Sequence, residues 1–201
     1  MYTLGIDTSY RFLAIALMDD AGLADSYMAE CPKQQSEQLL PKVDELLKAH
    51  GLGPDDIGAY VITKGPGSYT GVRIAMTMVK VTAALKKLPV YTLSSLQLYA
   101  GRQDCYSLID ARSRRVYVGR YADGQPLMAD TIYTIEQMEP LLDGSGVGAV
   151  GDLHLFGRPD VYGDLPANFW ALRDRWERVA NVDLLEPDYL KARQEYLVKN
   201  V

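Results

Sequence analysis

The chain has 201 residues, enough for one domain or two small ones with a real hydrophobic core. Its net charge of −5 argues against an extended basic surface for nucleic acid, so an RNA contact would depend on a partner. Cys31 and Cys105 form no C-x-x-C motif, which favours buried thiols in a reducing compartment. With no signal peptide and no apolar run of membrane length, the sequence predicts a cytoplasmic protein.

The N-terminal part predicts an antiparallel meander followed by a helix. The three predicted strands are Tyr2–Asp7, Arg11–Met18 and Leu23–Glu30. Ser36 is expected to cap the helix, and Gly51 with Gly53-Pro54 is expected to end it. Pro41 lies within the helical pattern and removes one backbone donor.

A glycine-rich turn joins the next strand to the next helix. Ala59–Thr63 is a short apolar run that predicts a buried strand, and Val72–Leu85 predicts a helix. A turn of this kind can present backbone amides to an anion at the helix N-terminus, or it can simply allow close packing of strand and helix. The spacing matches neither the dinucleotide motif nor a P-loop. The loop residues expected to contact a phosphate, if one binds, are Gly65, Gly67 and Ser68.

The helix after this turn is apolar around most of its circumference. Its clearly polar residues form one narrow stripe of Arg73, Thr77 and Lys80. A surface helix of a monomer should have a wider polar face. The helix is therefore either central to the core or part of a partner interface.

The second half repeats the order of the first. Ser107–Arg112 resembles Leu4–Ser9, because each is a strand that ends on Ile-Asp and leads through a polar turn into another strand. Thr134 and Gln137 form a capping box that predicts a helix to about Leu142. The repeat indicates an internally duplicated α/β fold, divided into residues 1–100 and 101–201. The remaining predicted elements are strands over Val116–Tyr121, Pro126–Tyr133 and Gly146–Gly151, and an amphipathic helix over Asn168–Ala180.

Few residues offer chemistry. Asp7 and Asp110 at matching strand ends either hold Mg²⁺ through water beside a phosphate, together with Thr8 and Ser9, or only cap their own turns. No cluster of His, Cys, Asp or Glu has the spacing typical of zinc or iron sites, and no nucleophile elbow occurs. The sequence thus predicts no catalytic residue, no metal ligand, and no cofactor beyond weakly bound ATP with Mg²⁺.

Five motifs together resemble the TsaB (YeaZ) family, the non-catalytic subunit of the bacterial tRNA threonylcarbamoyladenosine machinery. They are Ile6–Ser9, Gln35–Pro41, Gly65–Ile74, Ile109–Arg112 and Glu186–Leu190. The resemblance covers residues 1 to about 120 and resumes at the tail. Family members often have His where Gln35 stands and Gly-Glu where Arg114-Arg115 stand.

The resemblance implies an α/β duplicated fold of the actin/Hsp70/sugar-kinase (ASKHA) type, with two related subdomains of which the second is reduced. It implies a scaffold that binds a TsaD-like catalytic subunit, with a TsaE-like ATPase joining the pair and tRNA reached only through the complex. A homodimer through the same helices is the competing assembly, and a small ATP-binding ATPase or kinase of this fold is the alternative function. The interface residues implied on the first two long helices are Leu39, Leu40, Val43, Leu47, Arg73, Met76, Thr77, Val79 and Lys80.

Overall fold

The computed structural model describes residues 1–190 and contains two β-sheets. The first sheet has five main strands, β1 Tyr2–Asp7, β2 Phe12–Met18, β3 Leu23–Glu30, β4 Ile57–Thr63 and β5 Val90–Leu93. Their spatial order is β5-β4-β1-β2-β3, in which β1, β4 and β5 are parallel and β1 to β3 form the antiparallel meander. The predicted meander is confirmed.

Two long helices, α1 Gln35–Ala49 and α2 Tyr69–Lys86, cover one face of this sheet. The prediction that Ser36 caps α1 is wrong, because the N-cap position belongs to Gln34, which makes no side-chain cap bond. Helix α2 begins three residues before the predicted start. There the Ser68 hydroxyl accepts a hydrogen bond from the Gly71 amide at 3.2 Å and satisfies a donor of the first turn.

The second sheet repeats the beginning of the first. It consists of β6 Cys105–Arg112, β7 Arg115–Ala122, β8 Gln125–Thr134 and β9 Gly148–Gly151. The order β8-β7-β6-β9 matches β3-β2-β1-β4, with the same pattern of two antiparallel pairs and one parallel pair. Helix α4, Ile135–Gly144, begins with the predicted capping box. The predicted duplicated α/β fold, with a second subdomain smaller than the first, is confirmed by these matching sheets, and the ASKHA type stays what the family resemblance implies.

Two short helices fill the space between the sheets. Helix α3 covers Ser95–Ala100 and α5 covers Leu165–Ala171, and both contribute to the core that includes the inner faces of the two sheets. The side chains of Tyr99 and Phe169 are almost fully buried there. Burial of a side chain of this size stabilises the fold by about 2–3 kcal/mol.

The predicted helix over Asn168–Ala180 is helical only as far as Ala171, where α5 ends, and the rest of the prediction is wrong. After α5 the chain makes one 3₁₀ turn and then enters a two-residue strand, β10 Glu177–Arg178, antiparallel to β5. The Trp176 indole donates to the Phe169 carbonyl at 3.1 Å, and the chain then returns to the first sheet. The division at residue 100 stays a prediction. No helix within residues 1–190 is long and apolar enough to cross a membrane.

Candidate functional site

A cleft of about 970 Å³ lies where the turns of the two sheets face each other. Its walls come from the β1–β2 turn, the first turns of α1 and α2, the β6–β7 turn and the segment near residue 188. Charged side chains of both signs and several tyrosines line it. The charged and aromatic lining residues are Tyr10, Arg11, Glu30, Lys33, Tyr69, Asp110, Arg112, Tyr117, His154, Asp188 and Tyr189.

The first Ile-Asp turn is closed. Asp7 Oδ1 accepts hydrogen bonds from the Ser9 amide at 3.0 Å and from the Thr63 hydroxyl at 2.5 Å, and Oδ2 has no partner among the described residues. Burial raises the pKa of Asp7 against the effect of these bonds. Since the side chains of Asp7, Thr8 and Ser9 are all inaccessible to solvent, a ligand in the cleft cannot touch them in this conformation. The phosphate site stays a prediction, without direct contacts from these three residues.

The glycine-rich loop is held against this turn. The Thr8 hydroxyl donates to the Gly71 carbonyl at 2.7 Å, and the Ser68 amide donates to the Ser9 carbonyl at 2.7 Å. A Cβ at Gly67 would overlap the Ser9 carbonyl oxygen, and one at Gly71 would overlap that of Thr8. Gly67 and Gly71 therefore permit close approach of two backbone segments, which is the second of the two interpretations offered by the sequence.

The second Ile-Asp turn has the same local bond and a different neighbourhood. Asp110 Oδ1 accepts from the Arg112 amide at 2.7 Å, two residues on, as Asp7 does from Ser9. Its other oxygen accepts from the Arg112 guanidinium at 2.8 Å. The following residues, Arg112, Ser113 and Arg114, all have left-handed backbone angles, with φ of 66°, 55° and 56°. Without Gly or Asn, each costs about 1–2 kcal/mol.

The structure also assembles a cluster that the sequence analysis missed. One ligand atom from each of Asp152, His154 and Asp160 lies within 4.8 Å of the others, so they could hold a metal ion. The guanidinium of Arg11 already supplies positive charge there, 3.3 Å from Asp160. Burial raises the pKa of Asp160, but hydrogen bonds from the His154 amide and ring outweigh it and the pKa is lowered. The signal available in the sequence was the Asp-x-His spacing with a third acid six residues later.

Five predicted interface residues lie in the core. Leu39, Val43, Leu47, Met76 and Val79 are each at most 9% exposed and pack between the helices and the first sheet. They therefore offer a partner little surface in this conformation, and their assignment to a partner interface stays a prediction. The apolar circumference of α2 arises largely from this packing.

The polar stripe of α2 contacts the chain's own C-terminal part. The Lys80 ammonium donates to the carbonyls of Asp183 and Leu185 at 2.8 and 3.0 Å. The Arg73 guanidinium lies 4.0 Å from the Tyr69 ring centre and 5.5 Å from that of Tyr189. Two of the three polar residues thus hold the segment after β10 against α2. Such contacts leave them less available to a partner.

An exposed apolar row remains on α2 beside that stripe. Val81 is 56% exposed and Leu85 is 80% exposed, and Ile74 and Met78 are partly exposed at the same helical spacing. Leu40 on α1 is 60% exposed. Leu40 and Thr77, which also belong to the predicted interface set, are exposed, and none of the contacts described above involves them.

Comparison with known proteins identifies the family that has this architecture. Residues 29–143, more than half of the chain, match the family model described as TsaD, tRNA N6-adenosine threonylcarbamoyltransferase. Over 126 residues the chain is 36% identical to the tRNA threonylcarbamoyladenosine biosynthesis protein TsaB of Bacillus subtilis, covering 60% of this chain and 55% of that protein. The chain belongs to the TsaB (YeaZ) family. TsaB of Escherichia coli is 33% identical over 128 residues, covering 60% of this chain and 55% of that protein.

Solved structures of the YeaZ type have the same fold over nearly the whole chain. YeaZ from Pseudomonas aeruginosa superimposes with a TM-score of 0.74 at 25% identity, covering 94% of this chain and all of that chain. A protein described by its similarity to peptidase YeaZ, from the same organism, gives 0.78 at 26% identity, covering 94% of this chain and 99% of that one. The aligned region nevertheless spans only about half the length of the curated TsaB relatives.

Proposed function

We propose that this chain is a non-catalytic partner subunit of the machinery that makes threonylcarbamoyladenosine on tRNA. In this role it binds and stabilises a TsaD-like catalytic subunit, a TsaE-like ATPase joins the pair, and tRNA is reached through the complex. Membership of the TsaB family supports a role in this pathway. The observation that carries the partner role is the exposed apolar row on α2.

This row is unusual for a solvent-facing helix. Val81 and Leu85 present large apolar side chains one turn apart, and Ile74 and Met78 extend the row toward the cleft. Solvent exposure of apolar surface costs about 25 cal/mol per Å², so its burial against a partner helix favours association. An amphipathic helix of the partner, with anchors at i, i+4 and i+7, fits such a row. Leu40 on α1 widens the surface.

The interior of the first turn supports the non-catalytic part of the proposal. The backbone of Thr8 and Ser9 occupies the space in front of Gly67 and Gly71, so the glycine loop is packed against protein. Burial raises the pKa of Asp7, which disfavours the carboxylate form that would hold Mg²⁺ through water.

The test is co-purification of the chain with its TsaD-like partner, with size-exclusion chromatography and light scattering. We expect the double variant Val81→Glu, Leu85→Glu to weaken the complex at least 100-fold, because two charges would be buried without partners. Leu127→Glu is the matched control, since Leu127 is 60% exposed on β8 of the other sheet. Unchanged binding by the double variant would refute the α2 interface. Light scattering of the chain alone reports whether the same row forms a homodimer.

The alternative function is a small ATP-binding ATPase or kinase. The cleft between two matching Ile-Asp turns favours it, because a volume of about 970 Å³ is large enough for a nucleotide. It requires nucleotide binding and turnover by the isolated chain. Titration calorimetry with ATP and Mg²⁺ that shows no heat, together with no phosphate release, would rule it out.

A further inference from the structure

One side chain links the β1–β2 turn to the segment that follows β9. Arg11 follows the β1–β2 turn, and its Nη1 donates to the Tyr162 hydroxyl at 2.7 Å and to Asp160 Oδ2 at 3.3 Å. Its guanidinium carbon also lies 5.2 Å from the Tyr162 ring centre. Both partners belong to the segment after β9, so this contact crosses from the first sheet to the second.

The network continues from Tyr162 to the second Ile-Asp turn. The Tyr162 hydroxyl donates to Asp152 Oδ1, and Asp152 Oδ2 accepts from the Asp110 amide at 2.7 Å. Asp110 in turn holds the Arg112 amide at 2.7 Å. A continuous series of bonds therefore runs from Arg11 through Tyr162 and Asp152 to the turn that bears Arg112.

The charges around Arg11 make it the central residue of this hydrogen-bond network. Asp152 is fully buried, and Arg11 Nη1 lies 4.0 Å from its Oδ1. Glu30 lies 3.9 Å from the same nitrogen, so three carboxylates share one guanidinium. A buried carboxylate that loses the cation beside it is strongly destabilised, which favours its movement toward another partner. Movement of Asp152 would release the Asp110 amide.

We propose that Arg11 is a latch between the two subdomains, which fixes the opening of the cleft and holds the Asp110–Arg112 turn in place through Tyr162 and Asp152. When the latch is broken, the cleft opens and the turn loses its order while both sheets stay folded. The latch is independent of the partner surface on α2, since none of its residues lies on that helix.

Amide hydrogen exchange measured by NMR on the full chain tests the proposal. In Arg11→Met, which keeps the aliphatic stem, we expect the Asp110 and Arg112 amides to exchange at least tenfold faster, although they lie about a hundred residues away in sequence. Tyr162→Phe, which removes only the hydroxyl, should act in the same direction. Arg158→Met is the matched control, because Arg158 pairs with Asp143 within the second subdomain. In this variant the exchange rates of the Asp110 and Arg112 amides should stay within twofold of those in the parent.

The distance across the cleft is measured with spin labels at Ser36→Cys and Ser113→Cys, two exposed positions on opposite walls, and its mean reports cleft opening whereas its width also reports the order of the second turn. The native cysteines are buried. The distance distribution should be narrow in the parent and broader and longer with Arg11→Met. Unchanged exchange at Asp110 and Arg112, or a uniform rise over both sheets, would overturn the latch. If Arg11→Met does not fold, Tyr162→Phe decides by the same criteria.

Discussion

The two Ile-Asp turns have the same local geometry and opposite surroundings. In each, an aspartate accepts from the amide two residues on. The first turn is buried under the glycine loop that starts α2, whereas Asp110 and Arg112 line the open cleft. After β9, the described residues hold no long helix equivalent to α2, and the side chain of Asp152 contacts the second turn instead. Duplication thus preserved the turn, and the neighbouring element decided its accessibility.

The largest expected effect concerns the glycine-rich loop that buries the first Ile-Asp turn. Gly67→Ala places a Cβ against the Ser9 carbonyl, which is backbone and cannot rotate away. We expect a loss of about 3 kcal/mol in the free energy of unfolding, which lowers the thermal midpoint by roughly 6–12 °C. Gly144→Ala is the control, because its Cβ meets nothing within 4 Å at the end of α4, and it should be neutral or slightly stabilising. A loss below about 1 kcal/mol in Gly67→Ala would show that the loop can move away from the turn.

Substitutions in the second Ile-Asp turn should instead raise the free energy of unfolding. Ser113 and Arg114 are left-handed without being Gly or Asn, so Ser113→Asn with Arg114→Gly should raise the free energy of unfolding by about 1–2 kcal/mol. Denaturant unfolding measures the gain. Arg114→Ala separates the loss of the exposed Arg114–Glu136 ion pair from the backbone effect, since alanine keeps the unfavourable angle. Equal stability of the double variant and the parent would mean that the turn carries no relievable strain.

The smallest expected effect is a change in the free energy of unfolding with pH. Burial raises the pKa of Asp7, so between its pKa in the unfolded chain and its higher pKa in the folded one the native state binds more protons. The stability that Asp7 contributes is thus present below this window and is lost as pH rises through it. The advantage of Asp7→Asn over the parent should grow with pH and then level off, as measured by chemical denaturation from pH 3 upward.

Asp110→Asn provides the comparison for the pH experiment. Asp110 pairs with the exposed Arg112 guanidinium, so the destabilisation of this variant should shrink with added salt. The difference made by Asp7→Asn should change little with salt, since no cation contacts the Asp7 carboxylate among the described bonds. A salt dependence of equal size in both variants would contradict the contrast between the two turns.

Much of the fold was determined by the sequence alone. The three-strand meander, the capping box at Thr134 and the repeat of the Ile-Asp turn follow from local rules, since alternation, turn residues and caps act over a few residues. The repeat predicted the duplicated α/β architecture because matching local signals in matching order generate matching topology. The Gly65–Ile74 motif and the four other motifs named with it predicted the family.

Only the tertiary structure decided which residues face the outside. The all-round apolar pattern of α2 fits a core and an interface equally well; packing on the first sheet buries Met76 and Val79 and leaves Val81 and Leu85 exposed. Trp176 lies outside any helix, and its indole donates to the Phe169 carbonyl seven residues earlier. Arg11 meets Asp160 across about 150 residues of chain. Such contacts depend on how distant elements pack, which no local rule of sequence encodes.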